Sequence, residues 1–116
     1  MLAILFQISK ARYAVRCQNI VEVIPLVALR PVPHSAAWFL GVFAYRGSLT
    51  PVLDLCILIG GYACPKRLSS RIVLVRCTLP DGGGLVAGFL AEHMTEARHV
   101  QSAPLPAVYR DRKSVV

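Results

Sequence analysis

No apolar run in this chain is long. The longest clean one, residues 36–45, is about half the ~20 residues that a membrane-spanning helix needs. The others are broken at Glu22, Pro25, Pro51 and Asp54. Short runs rich in Val, Ile and Leu, bounded by Gly, Pro or basic turns, read as strands. The spacing predicts strands over residues 2–8, 13–16, 20–29, 40–45, 48–53, 71–78, 85–90 and 94–100. Pro25 implies an edge position or a bulge in the third of these. SKAR at 9–12 turns the first pair, Arg46-Gly47 is the turn of a hairpin, and PDGGG at 80–84 marks another. HSAAW at 34–38 has room for one helical turn after Pro33. Asp54 is placed to N-cap a short helix, LCILI, that stops at Gly60-Gly61. No helix of crossover length separates the strands, which argues against a parallel α/β sheet. An all-β chain built as a small barrel or pair of barrels is favoured over a sandwich.

A chain of 116 residues is one domain, or most of one, and can bury a real core. It is 55% apolar, more than an ordinary soluble monomer hides, and excess apolar surface usually marks partner contacts. The N-terminus, MLAILFQISKAR, has no basic lead and does not read as a signal peptide. A cytoplasmic protein with no direct membrane insertion is expected. The net charge is +7, but the arginines are scattered from Arg12 to Arg112 rather than aligned. Nucleic-acid binding needs clustered cations with aromatic stacking platforms, and here the aromatics sit inside apolar runs. An acidic protein partner suits the charge better. A small basic barrel that binds nucleic acid is the alternative, and steep salt dependence of binding would reveal it.

Cys17, Cys56, Cys64 and Cys77 each lie in or beside an apolar run and read as buried, reduced thiols. No CxxC pair is present, and His34, His93 and His99 fall at no ligand spacing, so no metal site is expected. Ser35 follows His34, but neighbours in sequence do not place a hydroxyl on an imidazole. Gly82-Gly83-Gly84 lacks the lysine of a phosphate loop and leads into a strand. No nucleophile–base pair can be nominated, so an enzyme is not expected. Two isolated charges in apolar segments, Glu22 and Arg46, remain. Charges are seldom buried unpaired. They either pair with one another across neighbouring strands or point to solvent from edge positions.

The halves resemble each other. Ile20-Val21-Glu22-Val23 followed by RPVP matches Met94-Thr95-Glu96-Ala97 followed by APLP at 103–106. This suggests a duplication, with a first repeat at about 2–61, a shortened second at about 70–106, and a basic irregular tail over 107–116.

Three stretches carry a family resemblance: FQISKARYAVRCQNIVEVI, PVPHSAAWFLGVFAYRGSLTPVLDL, and IVLVR with GGLVAGFLAEHMTEARHV. Together they resemble a CheW-like domain over residues 3 to about 106. The most specific element is Gly41, Arg46-Gly47, Pro51-Val52 and Asp54-Leu55. The family hairpin usually reads Asn-Leu-Arg-Gly, whereas this one reads Ala44-Tyr45-Arg46-Gly47. The resemblance implies two small five-stranded SH3-like barrels, no catalysis and no cofactor. It implies an adaptor that couples the cytoplasmic tip of a chemoreceptor to the regulatory domain of a CheA-type histidine kinase. The chain would serve chemotaxis or a related pathway such as surface sensing, and could be recruited to membrane receptor arrays. By matching motif positions, Ile20, Gly41, Arg46 and Gly47 would couple to the receptor, with Glu22 as the partner of Arg46. The C-terminal part is shorter than the family's, so the second barrel is expected to be incomplete, and a truncated regulatory remnant of the family that has lost kinase coupling is a further alternative. Strands 85–90 and 94–100 would then present an open edge, which recruits strands from another chain. A homo-oligomer held there is expected, with Met94 and Val100 at the contact.

Overall fold

The computed structural model describes residues 2–66, 69–94, 97–99 and 108–110. The strands are β1 (Leu2–Ile8), β2 (Ala11–Arg16), β3 (Ile20–Pro25), β4 (Phe39–Tyr45), β5 (Ser48–Asp54), β6 (Arg71–Thr78), β7 (Gly84–Ala91), β8 (Ala97–His99) and β9 (Val108–Arg110). Single turns of 3-10 helix at Cys17–Asn19 and of π-helix at Cys56–Gly60 are the helical pieces among the described residues. The all-β class is as predicted. The described strands form a four-stranded sheet in the order β8-β1-β2-β9 and a five-stranded sheet in the order β3-β6-β7-β5-β4.

Local turns behave as their residues dictate. Ser9-Lys10 alone closes β1 on β2, with Ile8 opposite Ala11, a tighter turn than the four residues expected. The glycine run returns β6 into β7 with Thr78 opposite Gly84. Pro25 ends β3, which is an edge strand carrying a bulge between Ile20 and Glu22. HSAAW does not make a helical turn. His34 takes φ 60, and two tight turns follow one another, closed by Ser35 N–H to the Val32 carbonyl and Phe39 N–H to that of Ala36. A left-handed residue at the head of this stretch stops a helix before it starts.

Pairing at a distance differs from the sequence expectation. β7 lies inside its sheet, antiparallel to β6 and parallel to β5, with Val52 opposite Gly88. It therefore has no open edge, and the edge argument for a homo-oligomer fails for residues 85–90. Met94 packs against the core as a partly buried side chain, and Val100 lies outside the described residues. The sheets also do not separate residues 2–61 from 70–106. β1 and β2 pair with β8 and β9, while β6 and β7 insert between β3 and β5. Within the expected irregular tail, Val108–Arg110 forms a strand on the outer edge of β2, with Ala14 opposite Tyr109.

One core joins the two sheets. Phe6, Ile8 and Val15 from the first meet Val52, Ile72, Val73, Leu74, Val75, Leu90 and Ala91 from the second. Four consecutive buried residues in β6 mark a strand covered on both faces, which explains why its sequence does not alternate. Tyr62 ties the sheets at their rim. Its hydroxyl accepts from the Ser9 N–H at 2.7 Å and donates to Glu92 Oε2 at 3.3 Å.

Candidate functional site

The two edges of the five-stranded sheet converge. After β3 the chain crosses to the outer side of β4, where Arg30 exchanges both backbone hydrogen bonds with Val42, at 2.8 and 2.9 Å. Gly41 makes this crossing possible. Its φ is 144, and a Cβ there would lie 2.5 Å from the Arg30 carbonyl oxygen. Further along the same seam, three side chains meet between β3 and the end of β4. Tyr45 donates its hydroxyl hydrogen to Glu22 Oε1 at 2.5 Å, and an Arg46 guanidinium nitrogen donates to the same oxygen at 3.4 Å. The Arg46 guanidinium also stands over the Tyr45 ring, 5.1 Å from its centroid.

The local sequence builds this clasp. Arg46 and Gly47 have φ 47 and 82, both positive as in a type I′ hairpin turn, and Gly47 takes the second such position without steric cost. A two-residue turn makes Tyr45 and Ser48 a hydrogen-bonded pair, so Val42 and Pro51 fall at a non-hydrogen-bonded pair. A proline costs that ladder nothing there. On the other strand, the bulge sets Ile20 opposite Val75 and Glu22 opposite Leu74. Successive residues of β6 face opposite sides, so the bulge turns Glu22 away from the face that Ile20 uses. Ile20 packs against the core, while Glu22 turns outward to the clasp.

Of the residues singled out from sequence, the seam gathers Glu22, Arg46 and Gly47 at one end and Gly41 at the crossing. Ile20 belongs to the packed face beneath. The Glu22–Arg46 pair forms, but its side chains are 42% and 73% exposed. Exposed pairs contribute at most about 1 kcal/mol, so this pair orients groups rather than locking the hairpin. Tyr45 was not singled out, although its place in the Ala-Tyr-Arg-Gly variant of the family turn was the available signal. The hydrogen bond to Glu22, together with burial, pushes its hydroxyl above the usual tyrosine value, against the lowering effect of Arg46. Below the usual tyrosine value of ~10 the stabilisation from this bond is present, and it is lost as pH rises through the raised value. Glu22→Gln should bring the Tyr45 titration back toward ~10, read from phenolate absorbance. An unchanged titration would contradict the contact.

Asp54 holds the other end of β5. It is 2% exposed, and its Oδ1 accepts from the N–H groups of Cys56 and Ile57 at 2.8 and 3.2 Å. This is the capping role expected of it. Its Oδ2 accepts from the Cys64 N–H at 2.9 Å, which the sequence did not foretell. All four cysteines are free thiols, Cys56 and Cys64 buried and Cys17 and Cys77 half-buried. Burial pushes the Cys56 and Cys64 thiols up.

A family model described as the CheW-like domain matches residues 2–116. The chemotaxis protein CheW of Helicobacter pylori is 27% identical over 113 residues, covering 95% of this chain and 66% of that protein. Protein FrzA of Myxococcus xanthus is 31% identical over 101 residues, covering 86% of this chain and 59% of that protein. The crystal structure of the scaffolding protein TtCheW from Thermoanaerobacter tengcongensis superposes with a TM-score of 0.72 at 24% identity, over 84% of this chain and 63% of that one. The chain thus spans roughly three fifths to two thirds of the length of these relatives. With Gly41 and Arg46-Gly47 at the seam and Asp54 capping the turn after β5 on the matching fold, the chain belongs to the CheW-like domain family.

Proposed function

We propose that the protein is a non-catalytic adaptor that couples the cytoplasmic tip of a chemoreceptor to the regulatory domain of a CheA-type histidine kinase. The observation that carries this reading is the seam. An ordered but solvent-exposed clasp of Glu22, Tyr45 and Arg46 sits on a turn whose backbone is fixed. Fixed, exposed polar groups beside apolar surface are what a docking face requires. Leu49, next to the turn and 70% exposed, supplies the apolar part. The relatives' names add a chemotaxis protein and a scaffolding protein to that support. No helix among the described residues is long and apolar enough to cross a membrane. Action in the cytoplasm, with recruitment to membrane receptor arrays through the receptor, completes the reading.

Arg46→Ala tests it. The variant should keep its melting curve within about 1 kcal/mol of the parent and lose binding to a chemoreceptor cytoplasmic fragment, measured by co-sedimentation. Retained binding at parent affinity would remove the seam from the docking face.

A further inference from the structure

Cys56, Cys64 and Asp54 form a group that the adaptor reading does not use. All three are buried, and one donor atom from each, two Sγ and a carboxylate oxygen, lies within 4.8 Å of the other two. We propose that this trio is a binding site for a thiophilic divalent cation of the zinc class. Two thiolates with a carboxylate are ligand types that zinc accepts, at about 2.3 Å to sulfur and about 2.0–2.2 Å to oxygen. Donors on one tetrahedral ion therefore sit about 3.5–3.8 Å apart. Shifts of about an ångström close the observed group onto an ion. Sulfur ligands select zinc over magnesium or calcium.

The frame around the trio is already built. The Asp54 carboxylate accepts the backbone N–H groups of both cysteine residues, so the third ligand fixes the backbone that carries the other two. Hydrogen bonds of this kind orient metal ligands. Oδ1 accepts twice, whereas Oδ2 accepts the Cys64 N–H and keeps a lone pair. Cys56 opens the π-helical turn Cys56–Gly60, the chain reverses at Gly61, and Cys64 follows the reversal. The Cys-x7-Cys spacing matches no common zinc motif, because the reversal after the turn, rather than a short knuckle, brings the thiols together. Cys64 Sγ makes a weak hydrogen bond to the Pro65 carbonyl at 3.7 Å and a side-chain hydrogen bond with Cys56. On binding, each thiol releases its proton to solvent as its sulfur–metal bond forms. Tyr62, whose hydroxyl donates to the buried Glu92, lies between the two cysteines in the chain, so the site abuts the tie between the sheets.

Titration of the reduced, metal-free chain with zinc chloride against a chromophoric chelator tests this. One equivalent of zinc should bind per chain. Cys56→Ser and Cys64→Ser should each weaken binding by at least ~10-fold, while Cys17→Ser and Cys77→Ser leave it unchanged. Should the serine variants fail to fold, alkylation of the parent gives the answer: zinc should protect Cys56 and Cys64, mapped by peptide mass spectrometry, from iodoacetamide. A folded parent that takes no zinc from the chelator would overturn the proposal. So would serine variants with parent affinity, zinc that protects neither thiol, or a Cys56–Cys64 disulfide formed in place of zinc uptake. None of these outcomes depends on kinase or receptor binding.

Discussion

Asp54→Ala should lower stability by about 3 kcal/mol or more, the largest effect expected from a single side chain. The carboxylate is buried and accepts three backbone N–H groups, from Cys56, Ile57 and Cys64. Each donor stranded without water costs about 1–3 kcal/mol. Alanine strands all three. Water entry would recover part of this, which is why the low end of the sum is expected. A domain of this size holds only about 5–15 kcal/mol in total, so the loss should be plain in a urea melt. Asp54→Asn discriminates further. Its amide oxygen can still serve one side of the cap, but its NH2 group then meets the N–H on the other side. An intermediate loss is expected. An alanine variant within ~1 kcal/mol of the parent would mean that the loop 55–64 is held by something other than this carboxylate.

Gly41→Ala is expected to cost about 2–4 kcal/mol, from backbone strain together with a clash in a packed region. The clash is with backbone: the Arg30 carbonyl oxygen at 2.5 Å and its carbon at 2.9 Å. No rotamer change relieves it, so β4 and the segment around Arg30 must separate. The same residues make the Arg30–Val42 exchange that closes the seam. Amide hydrogen exchange should therefore show lost protection at Arg30 and Val42, with β1 and β2 little changed. Family resemblance places Gly41 among the receptor-coupling residues, whereas its geometry gives it a role in closing the sheet. A variant that melts like the parent but no longer binds receptor would favour direct contact. A variant that loses both would favour closure.

Local features were legible in the sequence because they depend on a few adjacent residues. Arg46-Gly47 and the glycine run each mark a reversal that only positive φ allows, and Asp54 before an apolar turn marks a cap. Pro25 at an edge follows from its missing N–H. What failed was long-range. Nothing in residues 84–91 announces that they will pair parallel to β5, because parallel partners share no turn. The antiparallel return of residues 97–99 and 108–110 to the first hairpin was hidden because these partners lie far apart in the sequence and no turn joins them. Similarity between the two halves suggested a repeat boundary between residues 61 and 70, yet the sheets exchange strands across it. At the seam, Glu22 and Arg46 stood out as lone charges, while Tyr45 looked like one more core aromatic. Its hydroxyl, not its ring, is what reaches Glu22. The thiol pair was missed because seven residues separate its members and no common motif has that spacing.

Bridging is the central claim, and one measurement addresses it directly. A chemoreceptor cytoplasmic fragment is assembled on vesicles and sedimented with a CheA-type kinase, with and without this protein. The kinase should pellet with the receptor far more in the presence of the protein, and Arg46→Ala should abolish the gain while the variant stays folded. If the folded protein pellets with the receptor but brings down no additional kinase, or binds neither, it is not a coupling adaptor.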